Sequence, residues 1–144
     1  MIIEEESPTL PACLFLLDKS VVYTHSLYEE DSYHNYDLSK ISKFFLALHD
    51  GIAVGCGAYS WVGEYIIEIK HIFLDENSRG LGGGKLLMVY IEEHAANAGA
   101  EQIILETTLK QKEAIGLYIK LGYIFIEPYK VPKHDEQVFM TKFL

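Results

Sequence analysis

Apolar residues recur along this chain with two alternating periods, and the switches between them mark its elements. Residues 1–5 read as a short first strand. Ser7-Pro8 resembles an N-cap with proline at the first helical position, and Leu10, Leu14, Leu17 and Val21 then recur at helical spacing. Residues 28–37 are polar and aromatic and follow neither period, which predicts a loop or broken helix. Residues 44–49 and 52–61 flank Asp50-Gly51, a strong hairpin signal, and 65–74 adds a third strand rich in β-branched and aromatic residues. The helical period returns over 85–97, where Leu87, Ile91, Ala95 and Ala98 form one stripe and Gly99 supplies a left-handed cap. A buried strand at 102–107 leads to a helix at 113–121, with Ala114, Leu117, Tyr118 and Leu121 on one side and Gly122 at its end. Strands at 123–129 and 138–144 close the chain.

This order predicts an α/β (α+β) fold, a mixed sheet covered by helices. The helix between Leu74 and Gln102 implies a right-handed crossover to a parallel neighbour. At 144 residues with 49% hydrophobic and 23% charged content, residues 1–144 are expected to form one domain with its own core. No apolar run approaches the roughly 18 residues of a membrane span, and residues 1–6 lack a basic signal region, so the expectation is a cytoplasmic protein without a membrane partner. The formal charge of −9 opposes nucleic acid and anionic lipid. Cys13 and Cys56 have no second ligand at metal spacing; they read as small hydrophobes, with no metal expected.

The charge is uneven. Residues 1–37 carry eight carboxylates against Lys19 alone, whereas the single arginine stands in Arg79-Gly80-Leu81-Gly82-Gly83-Gly84-Lys85. Four glycines between a strand and a helix clear the approach to the backbone and leave N–H groups free at a helix start. With Arg79 and Lys85 alongside, those donors suit a diphosphate. The spacing is not that of a nucleoside triphosphatase loop, because Gly80 and Gly84 lie four apart and Leu86 follows Lys85. The dinucleotide fingerprint fails too, since Lys85 stands where its third glycine belongs. The plain alternative is a tight, flexible turn.

Residues 69–123 resemble the acetyl-coenzyme A binding half of the GNAT N-acetyltransferase superfamily. Arg79-x-x-Gly82-x-Gly84 resembles that family's Gln/Arg-x-x-Gly-x-Gly/Ala motif after a strand ending in an aliphatic residue, here Leu74. The stretch from Ala114 through Gly116-Leu117-Tyr118 to Gly122-Tyr123 resembles its late helix and following strand. The resemblance implies a mixed, mostly antiparallel sheet of six to seven strands with about four helices, and acetyl-CoA as cosubstrate. It implies that the backbone at Ile72 and Leu74 pairs with pantetheine and that residues 79–85 take the pyrophosphate. Gln111 stands where the family often has Asn, and a longer amide still donates and accepts.

By the same resemblance Tyr118 contacts the cofactor's thiol end and protonates the leaving thiolate; the competing reading is a ring packed in the core. Glu68, in Glu68-Ile69-Lys70, resembles a family position that offers a base, although Lys70 on the same face reduces it to an ion pair in the alternative reading. His71 becomes a reserve base only if a bulge reverses the strand's parity. Tyr28, Tyr33 and His34, with the carboxylates around them, are candidates for the acceptor entrance or else solvated surface. The expected function is acetyl transfer to a primary amine of a small molecule or peptide; the alternative is a noncatalytic acyl-CoA sensor or protein-interaction module. The strand at 138–144 is expected to offer an edge for a homodimer.

Overall fold

The computed structural model describes residues 1–28 and 37–144. Its strands are β1 (Ile2–Glu6), β2 (Lys43–His49), β3 (Ile52–Trp61), β4 (Ile66–Leu74), β5 (Gln102–Thr108), β6 (Ile124–Ile126) and β7 (Gln137–Phe143), and its α-helices are α1 (Pro11–Ser26), α2 (Gly83–Asn97) and α3 (Lys112–Lys120). The seven strands form one mixed sheet in the order β1-β2-β3-β4-β5-β7-β6, in which only β4 and β5 pair in parallel. The predicted α/β architecture, its strand count and its crossover are therefore present. Two short 3-10 turns accompany the three helices among the described residues.

Two apolar layers hold the helices to the sheet. Leu87, Met88, Ile91 and Ala95 of α2 pack with Ile67, Ile69 and Ile103 on one face, while Cys13, Leu16 and Leu17 of α1 pack with Phe44, Leu46 and Cys56 on the other. Both cysteines are buried thiols, as their sequence contexts suggested. Between β2 and β3, Asp50 and Gly51 both take positive φ, 51° and 80°, the backbone that a tight two-residue hairpin requires.

Three local expectations are corrected. The first helix begins at Pro11, with an extended Leu10 (φ −63°, ψ 142°) as its N-cap. A start at Pro8 would put Pro11 where the helix needs its first N–H donor, and a proline also drives its predecessor out of the helical region. The strand predicted over 123–129 is only Ile124–Ile126, since Pro128 cannot donate to a ladder. The C-terminal strand is no edge: β7 lies between β5 and β6, which leaves β1 and β6 outermost and removes the reason for a homodimer through 138–144.

The largest departure from simple alternation is in β4. Cys56 stands opposite Phe73 and Ala58 opposite Lys70, so His71 and Ile72 together face Gly57. His71 absorbs the extra residue at φ 58°. Beyond this bulge the faces exchange: Ile72 and Leu74 pack with Ile67 and Ile69 against α2, and Phe73 joins the α1 side. Ile72 and Leu74 thus leave the face of Glu68 and Lys70, on which unbroken alternation would put all four. Gly57 makes room, because a Cβ there would stand 2.7 Å from Ile72 Cδ1 and 2.8 Å from Ile91 Cδ1.

Gly55 tests the neighbouring approach of β3 to β4. A Cβ at Gly55 would meet the Phe73 backbone oxygen at 2.7 Å and Leu74 Cδ2 at 2.5 Å, and a paired backbone has little room to yield. Gly55→Ala is expected to destabilise the fold by about 1–3 kcal/mol, read as a lower denaturant midpoint at unchanged m-value; an unchanged midpoint would show that β4 relaxes freely.

Candidate active site

The parallel pairing of β4 with β5 ends at Ile69 and Leu105. Beyond it β4 stays with β3 as far as Leu74, and β5 stays with β7 as far as Thr108. The sheet therefore opens into a wedge, and among the described residues β4 has no strand neighbour on its β5 side along 70–74. Such an edge accepts an extended, amide-bearing chain as it would another strand. Leu74 is only partly available, since its carbonyl accepts a hydrogen bond from Arg79 Nε at 3.1 Å.

At the end of β4 the chain turns into α2. Gly80 and Gly82 take φ 83° and 77°, conformations that L side chains resist, and Gly82 is the N-cap. Gly84 instead serves packing, as its Cβ position lies 3.1 Å from Leu117 Cδ2 of α3. The Leu86 N–H is the first in this stretch to find an internal acceptor, the Gly82 carbonyl at 3.1 Å. Among the described residues, the N–H groups of Gly80, Leu81, Gly82, Gly83, Gly84 and Lys85 have no internal acceptor, and no acidic side chain occupies the first turn of α2. Leu81 and Lys85 are exposed beside them. A row of free donors at a helix start suits an anion, and the residues present fit a diphosphate. The guanidinium of Arg79, by contrast, lies 5.1 Å from the ring centroid of Tyr23 on α1, so its side chain braces the turn from the other side.

A cavity of about 690 Å³ occupies the wedge. It brings together Tyr28, Glu68, Ile72, Gln111 and Tyr118 from the sequence-derived candidates, along with His71. Leu74 and the glycine turn lie outside its lining, next along the same strand. Tyr33 and His34 lie outside the described residues. Gln111 caps α3 without using its side chain for the cap, and its N–H donates to the Thr108 carbonyl at 2.9 Å.

Tyr118 is 6% exposed and packs its ring against Tyr123 at 5.8 Å. Its hydroxyl has no partner among the described residues, whereas Tyr123 donates to Glu92 Oε2 at 2.7 Å. Burial pushes the Tyr118 phenol up to about 12, so it stays protonated at neutral pH and remains a donor. Core packing and an available hydroxyl coexist in this one residue.

Glu68 sits in the ion-pair arrangement. It accepts the Tyr129 hydroxyl at 2.7 Å and meets Lys130 Nζ at 3.0 Å and Lys70 Nζ at 3.5 Å. Burial pushes its carboxyl up, but the Tyr129 hydrogen bond and the two ammonium groups outweigh that and leave it below the usual range. Lys130 also meets Glu106 at 3.5 Å, which completes a four-charge network across the wedge. His71, turned toward the cavity by its bulge, is lowered to about 4, chiefly by burial and then by Lys70, and is neutral at physiological pH.

Tyr28 forms part of the rim. Its hydroxyl bonds Thr108 Oγ1, its ring stacks on His134 at 3.7 Å, and Lys110 Nζ lies 4.4 Å above it. Sequence reading missed Tyr129, Lys130, Lys133 and His134, which approach from the β6–β7 loop. Pro128 marks that loop in the sequence, but nothing local pairs Tyr129 with a glutamate sixty-one residues earlier.

The family model described as Acetyltransferase (GNAT) family matches residues 6–123. The chain is 35% identical over 133 residues to the IAA acetyltransferase of Azospirillum brasilense, covering 88% of this chain and 86% of that protein. It superposes at TM-score 0.81 and 26% identity on a protein from Klebsiella pneumoniae subsp. pneumoniae MGH 78578 assigned as an acyl-CoA N-acyltransferase, covering 99% and 97% of the two chains. A GNAT family acetyltransferase from Elizabethkingia anophelis with acetyl-CoA bound shares the fold at TM-score 0.75 and 19% identity, again covering 99% and 97%.

The Glu68 network sets a stability prediction. A carboxyl held below its unfolded value contributes stability above that value, and the contribution is lost as pH falls through the folded one. Glu68→Gln is expected to cost about 1–3 kcal/mol at pH 7, with the difference from wild type shrinking below about pH 4.5. Denaturant unfolding of both proteins from pH 7 to pH 3 checks this, and a difference that grows on acidification would contradict it.

Proposed function

The chain belongs to the GNAT acetyltransferase family, and from that premise we propose that it moves acetyl from acetyl-CoA to a primary amine of a small molecule or peptide by direct attack, with Tyr118 as the proton donor to the departing sulfur. Family membership makes it an acetyl-CoA-dependent N-acetyltransferase acting on an amine; the acceptor and the residue roles are our reading. The observation that carries it is the succession, among the described residues, of three features along β4 and the turn after it: a cavity containing a phenol without a partner, the unpaired strand edge at 70–74, and the free N–H row at residues 80–85.

When bound, acetyl-CoA supplies a thioester whose carbonyl carbon takes the amine nitrogen as the carbon–sulfur bond breaks. The turn at residues 80–85 would hold the diphosphate through its N–H groups, with Lys85 adding charge, and the β4 edge around Ile72 would hold the pantetheine amides. Tyr118 Oη–H would donate to the sulfur. A phenol near 12 is a weaker acid than a thiol of about 8.5, so its contribution is a strong hydrogen bond completed as negative charge builds on sulfur. Glu68, held ionised by Tyr129, Lys130 and Lys70, is a poor proton acceptor and serves to attract and orient the ammonium form. The ammonium's proton passes to solvent and the neutral amine attacks; the proton that nitrogen then sheds as the amide forms also passes to solvent, from which Tyr118 is reprotonated after its own proton has gone to sulfur.

Two substitutions separate binding from chemistry. Tyr118→Phe is expected to lower kcat by about 10²-fold while coenzyme A affinity, measured by calorimetry, changes little. Gly82→Val places a branched side chain at φ 77° beside the free N–H groups and is expected to weaken coenzyme A binding about tenfold or more. Thiol release across an amine panel tests the whole reading. Folded protein that fails to bind coenzyme A would remove it, and tight binding without thiol release would leave the sensor alternative.

A further inference from the structure

Two carboxylates are buried among the described residues, Glu68 at the cavity and Glu92 on α2, and the proposed reaction uses only the first. Glu92 is fully engaged. Its Oε2 accepts the Tyr123 hydroxyl at 2.7 Å, and its Oε1 accepts from Lys142 Nζ at 2.8 Å. Lys142 Nζ also lies 5.8 Å from the centroid of the Tyr123 ring, so carboxylate and ammonium converge on one aromatic side chain. Burying a charge costs free energy that an ion pair often only repays, and apolar side chains of similar size would hold α2 to β7 about as well. Cohesion alone therefore gives no reason for this network.

What the network holds is the neighbour of Tyr118. The chain reverses at Gly122, φ 98°, directly after α3. Tyr123 then returns to the helix: its N–H donates to the Tyr118 carbonyl at 2.9 Å, and its ring meets the Tyr118 ring at 5.8 Å between centroids and 55° between planes. Tyr123 is buried, and that burial together with the Glu92 hydrogen bond raises its phenol above the ordinary range, so it stays the donor in the bond. The Tyr118 hydroxyl has no partner among the described residues, so no hydrogen bond there fixes its place at the cavity. Its place is set through its ring, by Tyr123 and the apolar core around them.

We propose that Glu92, Lys142 and Tyr123 are positioning residues for acyl transfer: they lock the Tyr123 ring, and through it the place of the Tyr118 hydroxyl. This rests on the reading of Tyr118 as proton donor given above. None of the three lines the cavity, so they act through another residue and not by touching a substrate.

The test reads single-turnover thiol release at saturating acetyl-CoA, with the fastest acceptor among propylamine, 1,3-diaminopropane, 3-aminopropanoate and glycylglycine as probe. Tyr123→Phe keeps the ring and removes its hydroxyl; it is expected to slow release about tenfold with coenzyme A affinity unchanged. The triple variant Glu92→Met/Lys142→Met/Tyr123→Phe makes the cluster apolar. It is expected to unfold at a denaturant midpoint no lower than wild type, yet to be slowed by at least the same factor. In a Tyr118→Phe background neither change is expected to slow release further, because the hydroxyl they place is gone. Equal slowing in both backgrounds, or a triple variant as fast as wild type, would overturn the inference. A readout without turnover is the NMR line of Tyr118 in protein isotope-labelled at tyrosine Cζ and complexed with coenzyme A, identified as the line that Tyr118→Phe lacks. It is expected to be single and narrow in wild type and broadened or split in Tyr123→Phe. Equally narrow lines overturn the inference whether or not any amine is acetylated. Broadening, in a protein whose Tyr118→Phe variant keeps full activity, supports the locking of Tyr118 while removing its role as proton donor.

Discussion

The site depends on one irregularity, the extra residue that β4 inserts opposite Gly57. Without it, β4 would keep one parity from Ile66 to Leu74, and Ile72 and Leu74 would lie on the face occupied by Glu68. With it, the strand changes face halfway. Its first half buries Ile67 and Ile69 beside β5, and its second half remains tied to β3 alone while Ile72 and Leu74 still reach the α2 core. The positive φ at His71 is the local strain that accompanies this change, and strain of this kind persists only where surrounding packing fixes it. Gly57 and Gly55 supply that fit by removing side chains where β3 passes closest to the displaced segment.

The same separation explains why two unlike sets of groups coexist in a small volume. Backbone groups face one part of the wedge: an unpaired strand edge followed by free N–H groups at the start of α2. These need no particular side chains, only a path that glycine permits. Side chains face the other part, where Glu68, Lys70, Glu106 and Lys130 cross-link β4, β5 and the β6–β7 loop. Burial of Glu68 is tolerated because three donors compensate it, and that compensation makes the carboxylate a persistent negative charge. In the proposed reaction the network would orient rather than exchange protons. Among the described residues nothing engages the Tyr118 hydroxyl, which leaves it a donor at the cavity.

Most of the scaffold was legible in the sequence because it is written in local signals. Asp50-Gly51 placed the hairpin, the 3.6-residue stripe of Leu87, Ile91 and Ala95 placed α2, and the four glycines placed the turn. The errors arise where one residue overrides a pattern. Pro11 moves the helix start past Ser7-Pro8, Pro128 cuts the sixth strand short, and the bulge at His71 defeats period-2 counting. The order of β6 and β7 was hidden for another reason: both read as terminal strands, and only tertiary pairing decides which one lies outside. Tyr129 and Lys130 were invisible because their partner, Glu68, is adjacent only after β6 and β7 have folded back on β5.

That asymmetry follows from what each half of the site has to recognise. A diphosphate and an extended amide chain present the same main-chain chemistry wherever they bind, so a short glycine motif suffices and survives as a readable string. The side-chain part of the cavity is instead assembled from scattered positions: Lys40 before β2, Glu68 on β4, Glu106 on β5, and Lys130 and Lys133 after β6. Each is an ordinary polar residue in its own segment. Glu68, Lys70, Glu106 and Lys130 meet within a few ångströms, and at such separations local charges outweigh the screened field of the distant surface carboxylates. Net charge therefore governs what approaches the protein, whereas the field inside the wedge is set by the lysines and carboxylates that it brings together.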